Sequence, residues 1–308
     1  MLYLHIGTGK AGSTTIQTFL KSCGAELPYS QLESFGLGNS WKIAASTGTE
    51  RSRWYWVEHI KRLDADEYQR LCSRFWTEVK SEVASLEHSD FVASSEFIFG
   101  QVACDQEAMA RLQVQLTEIF GEVKLLVYFR NQIDFVKSFY AQAVKGPTRE
   151  ILSYDVYIKN LKKIQVPINY AERLKLWGEV FGWENVEAVV FDRKNFPNGN
   201  LIEDFCSRTG IEYDNERFAI HRQESNISPS YSHLVAFRYL NRLTLRKHKG
   251  LAVRAITSLA RRAITSTLPD KEFPKEYDDL LLSKVSEGNK WLNEVFFSDL
   301  AVKLPEIN

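Results

Sequence analysis

The chain has 308 residues, of which 44% are hydrophobic and 25% charged, an ordinary globular composition with enough length for a large core. This excludes disorder, collagen-like structure and coiled coil as the main architecture. Lys plus Arg and Asp plus Glu each number 39, so the net charge is zero and no field of one sign covers the molecule, which argues against general nucleic-acid binding.

The cysteines at 23, 72, 104 and 206 are scattered without a CxxC pair, so neither a zinc site nor a disulfide framework is expected and reduced thiols fit best. The opening MLYLHIGTGK has no charged segment followed by a long apolar one, and no apolar run approaches about 20 residues. The expectation is a cytoplasmic protein that neither carries a signal peptide nor spans a membrane. Division by a typical domain size of about 150 residues gives roughly two domains, but α/β enzymes often reach this length as one, and a single domain over 1–308 is favoured.

In chain order, Leu2-Tyr3-Leu4-His5-Ile6 is a short apolar run that leads into Gly7-Thr8-Gly9-Lys10-Ala11-Gly12-Ser13-Thr14-Thr15, followed by Ile16, Phe19 and Leu20 at helical spacing. This predicts strand, glycine-rich turn, helix. The stretch from Pro28 to about residue 60 has no clean period and reads as an irregular insertion near a site; it carries Trp41, Trp54, Tyr55 and Trp56. Helices are predicted over Tyr68 to Leu86 and Met109 to Phe120, and buried strands over Phe91-Val92-Ala93, Val123 to Phe129 and Val186 to Phe191. Strands that alternate with helices imply a mainly parallel sheet of about four or five strands. Residues 230–308 read as a helical C-terminal part. From Arg238 to Arg262 there are eight Lys or Arg and no acid.

A strand, a glycine-rich turn and a helix make an anion site, because the first amides of the helix lack intrahelical partners and the helix dipole adds positive potential. Gly7 and Gly12 have the spacing of the nucleotide-triphosphate loop, but Ser13 stands where that loop needs lysine, and the lysine is Lys10, inside the turn.

Gly9-Lys10-Ala11-Gly12-Ser13-Thr14-Thr15 resembles the 5′-phosphosulfate-binding loop of sulfotransferases that use 3′-phosphoadenosine 5′-phosphosulfate (PAPS), with Gly9 in place of the usual proline. Val127-Tyr128-Phe129-Arg130-Asn131-Gln132, with Ser138 eight residues after Arg130, resembles the family's 3′-phosphate motif, with Gln132 in place of proline. Arg offers a planar fork for bidentate phosphate contact, and a serine about two helical turns on adds a hydroxyl. Less specific likenesses lie at Val189 to Asp192, Leu201 to Phe205, Thr209-Gly210-Ile211, Glu224 to Ser228 and Asn289 to Leu292.

The resemblance implies a three-layer, P-loop-like α/β fold and a sulfuryl transfer from PAPS that leaves adenosine 3′,5′-bisphosphate and needs no metal. It assigns the phosphosulfate to the turn with Ser13, Thr14 and Thr15, the bridging oxygen to Lys10, and the 3′-phosphate to Arg130 and Ser138. Three residues compete as base. Glu96 ends the second strand, where ligands of open α/β sheets gather. Glu33 lies where several sulfotransferases that act on glycans or tyrosine carry a glutamate after the first helix. His5 precedes the turn but fits a core histidine better. Glu96 ranks above Glu33.

The aromatic insertion fits a stacking wall for a sugar or phenol. The basic run 238–262 interleaves Leu240, Leu243, Leu251, Val253, Ile256 and Leu259, which fits an amphipathic helix in water and, alternatively, peripheral contact with an anionic membrane or acidic glycan. The acceptor expected is a hydroxyl or amine on a carbohydrate or glycolipid. Two other readings stand beside this one: a P-loop nucleoside-triphosphate-dependent kinase, which would use Mg²⁺, and a non-catalytic nucleotide-binding module.

Overall fold

The computed structural model describes residues 1–23, 29, 31–36, 39–49, 62–86, 90–103, 105–146, 148–162, 166–218, 229–244 and 251–307. Among these, β1 (Leu2–Gly7), β2 (Phe91–Ser94), β3 (Val123–Phe129) and β4 (Val186–Val190) form a wholly parallel sheet in the order β2-β1-β3-β4. Leu2 lies opposite both Phe91 and Val123, and Leu125 opposite Val186. The chain steps from β1 to β2 on one side and then returns to β3 on the other. The crevice beyond the carboxyl ends of β1 and β3 is therefore the topological switch point, where open α/β sheets bind ligands.

Both faces of the sheet are buried, which is why its strands read as nearly continuous apolar runs. Leu2, Leu4, Ile6, Leu125, Val127 and Phe129 pack on α3 (Ala65–Ser85), α4 (Gln106–Phe120) and α7 (Tyr170–Phe181). Val92, Leu126, Tyr128 and Val189 pack on α1 (Ser13–Cys23) and α8 (Leu201–Thr209). The result is the expected three-layer, P-loop-like α/β arrangement. The insertion holds one short helix among its described residues, α2 (Trp41–Ala45), where Trp41 packs beside Tyr68 and Cys72.

Local chemistry sets the helix ends. Asp64 and Glu67 exchange hydrogen bonds in a capping box that opens α3. Asp105 accepts from the Ala108 amide at the start of α4, and Gly210, in the left-handed region at φ 70°, ends α8 ahead of the short α9 (Asn215–Phe218).

Contacts divide the chain into two compact units. The first comprises 1–130, 169–223 and 288–304 and holds the sheet; the second comprises 131–168, 224–287 and 305–308. The second is helical, with α5 (Gln132–Lys145), α6 (Tyr154–Lys159), α10 (Tyr231–Thr244), α11 (Leu251–Thr267) and the N-terminal half of α12 (Glu276–Val295). Its core gathers Phe135, Tyr140, Tyr154, Tyr157, Leu234 and Leu281. Much of the basic run is structural there. Arg238 is buried, Arg242 donates to the Ile151 carbonyl, and Arg261 donates to the Lys145 and Val144 carbonyls at the end of α5.

Beneath the sheet of the first unit, the Tyr128 hydroxyl donates to Asp204 Oδ2 (2.7 Å) and Arg208 grips both Asp204 oxygens (2.8 and 3.0 Å) while also pairing with Glu187. Removal of one partner from a buried ion pair leaves an uncompensated charge. Arg208→Met should therefore lower stability by about 3 kcal/mol, and Tyr128→Phe by about 2 kcal/mol. Urea denaturation midpoints would rank the two.

Candidate functional site

Three close approaches shape the turn after β1. Gly7 has φ 113°, and a Cβ there would lie 3.1 Å from the Glu96 carbonyl oxygen. Gly12 has φ 78°, and a Cβ there would lie 2.7 Å from the Phe191 ring and nearer still to Leu201. Lys10 is left-handed as well, at φ 66°. The Thr15 and Ile16 amides return to the Gly12 carbonyl (2.9 and 3.1 Å) and begin α1, so the Ser13 and Thr14 amides head a helix that has no acid in its first turn. Thr8 is buried, and its amide and hydroxyl both donate to the Tyr128 carbonyl at 3.0 Å.

Arg130, at the carboxyl end of β3, donates from Nη1 to the Lys10 carbonyl oxygen at 3.1 Å. The two resembling motifs, 120 residues apart in sequence, thus meet at the switch point. Ser13 is buried, Thr15 half-buried and Thr14 exposed, while Gly9, Lys10 and Arg130 are half-buried and Ala11 is buried. Lys10 and Arg130 supply fixed positive charge beside the amides of the helix start. This is a donor set for a phosphate-like anion.

The candidate bases part company. Glu96, just past β2, accepts a hydrogen bond from the Ser13 hydroxyl at 2.5 Å, so its carboxylate touches the turn and the Ser13 hydroxyl faces the carboxylate. Glu33 is exposed, with its own amide donating to Glu82 of α3 (2.6 Å), and no contact among the described residues joins its carboxylate to the turn. His5 is buried in β1, with Nδ1 at 2.8 Å from the Ser94 hydroxyl and the ring edge-on to Tyr128 and Phe205. Burial lowers its pKa to about 3, against a smaller opposing effect of the Gly7 backbone, so the imidazole stays neutral as a core group.

Ser138 is half-buried on α5, in the second unit. Trp54, Tyr55, Trp56, Cys104, residues 224–228, and Arg246, Lys247 and Lys249 lie outside the described residues. Two supporting residues carried no sequence signal. Tyr170 of α7 is fully buried and stacks on Phe129 at 4.5 Å, and burial raises its phenol above the ordinary range. Thr8 could be named only as part of the glycine turn. Cys23, Cys72 and Cys206 are buried, and burial pushes the Cys206 thiol up to about 12. Among the described residues no His, Cys, Asp and Glu cluster could hold a metal, and no helix is long and apolar enough to cross a membrane.

No family model matches the chain. An uncharacterized protein of Archaeoglobus fulgidus is 32% identical over 112 residues, which cover 36% of this chain and 28% of that protein. The match thus spans little more than a quarter of the relative's length. The crystal structure of a sulfotransferase from Alicyclobacillus acidocaldarius is similar with a TM-score of 0.46 and 16% identity, over 97% of this chain and 96% of that one. A likeness at this level leaves the chemistry to be argued from the residues.

The histidine carries a pH signature of stability. Its folded pKa of about 3 lies below the ordinary 6.5, so the unfolded chain binds the extra proton first and His5 destabilises the fold as pH falls from 6.5 toward 3. His5→Gln should flatten part of that slope in urea melts across the same window. An unchanged slope would show that His5 titrates normally.

Proposed function

We propose that this protein is a sulfotransferase that moves a sulfuryl group from PAPS to a hydroxyl or amine, with a carbohydrate or glycolipid as the favoured acceptor. The observation that carries this reading is the Arg130 hydrogen bond to the Lys10 carbonyl, which sets both phosphate-seeking motifs on one crevice. The turn fits such a donor: the close packing at Gly12 leaves no space for a side chain, and the helix-start amides, Lys10 and Arg130 present positive charge without a metal.

In this reading PAPS supplies the sulfuryl group, and adenosine 3′,5′-bisphosphate leaves. The Ser13, Thr14 and Thr15 end of α1 holds the 5′ side, and Lys10 stabilises negative charge on the departing oxygen. Arg130 recognises the 3′-phosphate. Glu96 is the favoured base, because its carboxylate reaches the turn; Glu33 is set behind it by its exposure. A cytoplasmic location remains part of the proposal.

One observation favours a second reading. A carboxylate hydrogen-bonded to a hydroxyl of the turn, as Glu96 is to Ser13, has the donor types that hold Mg²⁺ in P-loop kinases. Against it stands Ser13 in the position of the invariant lysine.

Thermal shift separates the two. A ligand at about 100 times its dissociation constant stabilises by about 2.7 kcal/mol, which moves the midpoint by several degrees. Adenosine 3′,5′-bisphosphate should produce the shift, and adenosine 5′-monophosphate and Mg-ATP should not; a shift with Mg-ATP alone would replace the sulfotransferase by the kinase. Lys10→Met should keep the bisphosphate shift and lower kcat with PAPS at least about 100-fold. Glu96→Gln retains an oxygen that can accept from Ser13, and should lower kcat by about 100-fold or more. Normal turnover by Glu96→Gln would remove Glu96 as base.

A further inference from the structure

The second unit turns apolar side chains toward water on two successive helices. In α11 the inward face is set by Thr257, which is buried, by Arg261, which lies 5.3 Å from the Phe237 ring, and by Ile264, which packs on the unit's core. The opposite face presents Ile256 and Leu259, three residues apart and 64% and 63% exposed. Helix α10 likewise buries Leu234, Phe237, Arg238 and Asn241 and leaves Tyr239 and Leu243 outward, one turn apart and 54% and 73% exposed. Single exposed apolar residues need no explanation, but four within 21 residues, on paired helices of one unit, form a surface that water alone does not favour.

The charge around them selects the partner. Between Glu224 and Asp270 the chain has no acid and eight Lys or Arg. Of these, Arg242 flanks the Tyr239 ring at 5.7 Å, and Arg262 is exposed three residues beyond Leu259. A second copy of this chain docked through the same face would set like charges against each other. A soluble polyanion would meet the arginines but offer nothing to Leu243, Ile256 and Leu259. An anionic lipid surface satisfies both, with headgroup charge for the cations and the acyl boundary for the apolar side chains.

We propose that the second unit docks peripherally on an anionic membrane, with Tyr239, Leu243, Ile256 and Leu259 entering the headgroup boundary. Arg261 and Arg238 take no part, since Arg261 is bonded inward to the Lys145 and Val144 carbonyls and Arg238 is buried. The inference stands apart from the reaction assigned to the crevice.

The test is co-sedimentation of the full chain with vesicles of equal parts phosphatidylglycerol and phosphatidylcholine, against pure phosphatidylcholine, at low and high salt. The parent should bind the anionic vesicles, lose most binding in high salt, and ignore the neutral ones. The double variant Ile256→Gln/Leu259→Gln should bind at least about tenfold more weakly with an unchanged melting temperature, since these side chains face water in the free protein. Leu243→Gln and Arg262→Glu serve as independent probes should that double variant fold poorly. Equal binding by parent and variants would overturn the proposal. So would a dimer in light scattering that the same substitutions dissolve, or no binding to either vesicle.

Discussion

The turn between β1 and α1 is held from three directions, and the architecture of the crevice depends on that confinement. Phe191 and Leu201 close on Gly12, the Glu96 backbone closes on Gly7, and Arg130 binds the carbonyl of Lys10. These neighbours come from the segments after β4, β2 and β3, so every other strand of the sheet contributes to fixing the turn after β1. Backbone in the left-handed region at Lys10 and Gly12 persists because its surroundings leave no alternative. A rigid cradle of amides costs little reorganisation when an anion arrives, which is the general advantage of preorganised polar sites.

Confinement of this kind also explains the division of labour among the polar groups. His5 and Ser94 pair within the sheet and are shut away from solvent, whereas Glu96, two residues past Ser94, emerges at the edge and reaches Ser13. The shift from core to site occurs within two residues of a strand end, as the pleat gives way to the loop. In the second unit the same economy of position holds: Arg261 faces inward and holds carbonyls and the Phe237 ring, while the next residue, Arg262, faces water.

Much of the first unit was legible in the sequence because parallel strands buried on both faces are runs of Val, Leu, Ile and Phe that little else produces. β3 matches its expected span from Val123 to Phe129, and β1 and β2 differ by one residue at the end. The helices begin earlier than their apolar periods, at Ala65 and Gln106, because Asp64 and Asp105 cap them ahead of the first buried side chain. The turn was legible through its glycines, and Arg130 through its place after a strand. What the sequence could not convey is contact across the fold. Nothing in the local pattern pairs Ser13 with Glu96, stacks Tyr170 on Phe129, or commits Arg238 to the interior while Leu259 stays in water. Each depends on tertiary packing between elements far apart in the chain.

The position of β1 has a consequence for how the molecule assembles. The first strand of the chain lies inside the sheet, and its partners begin at Phe91 and Val123. A growing chain therefore carries an apolar strand with no edge to join until β2, which begins at Phe91, has been made, and the turn at Gly12 is not enclosed until Phe191 and Leu201 arrive. Pairing over such separations is slow, because loop closure precedes any reward from contacts. A strand made well before its partners is thus among the last segments to reach its working shape, and during that interval it is the part most prone to join another chain.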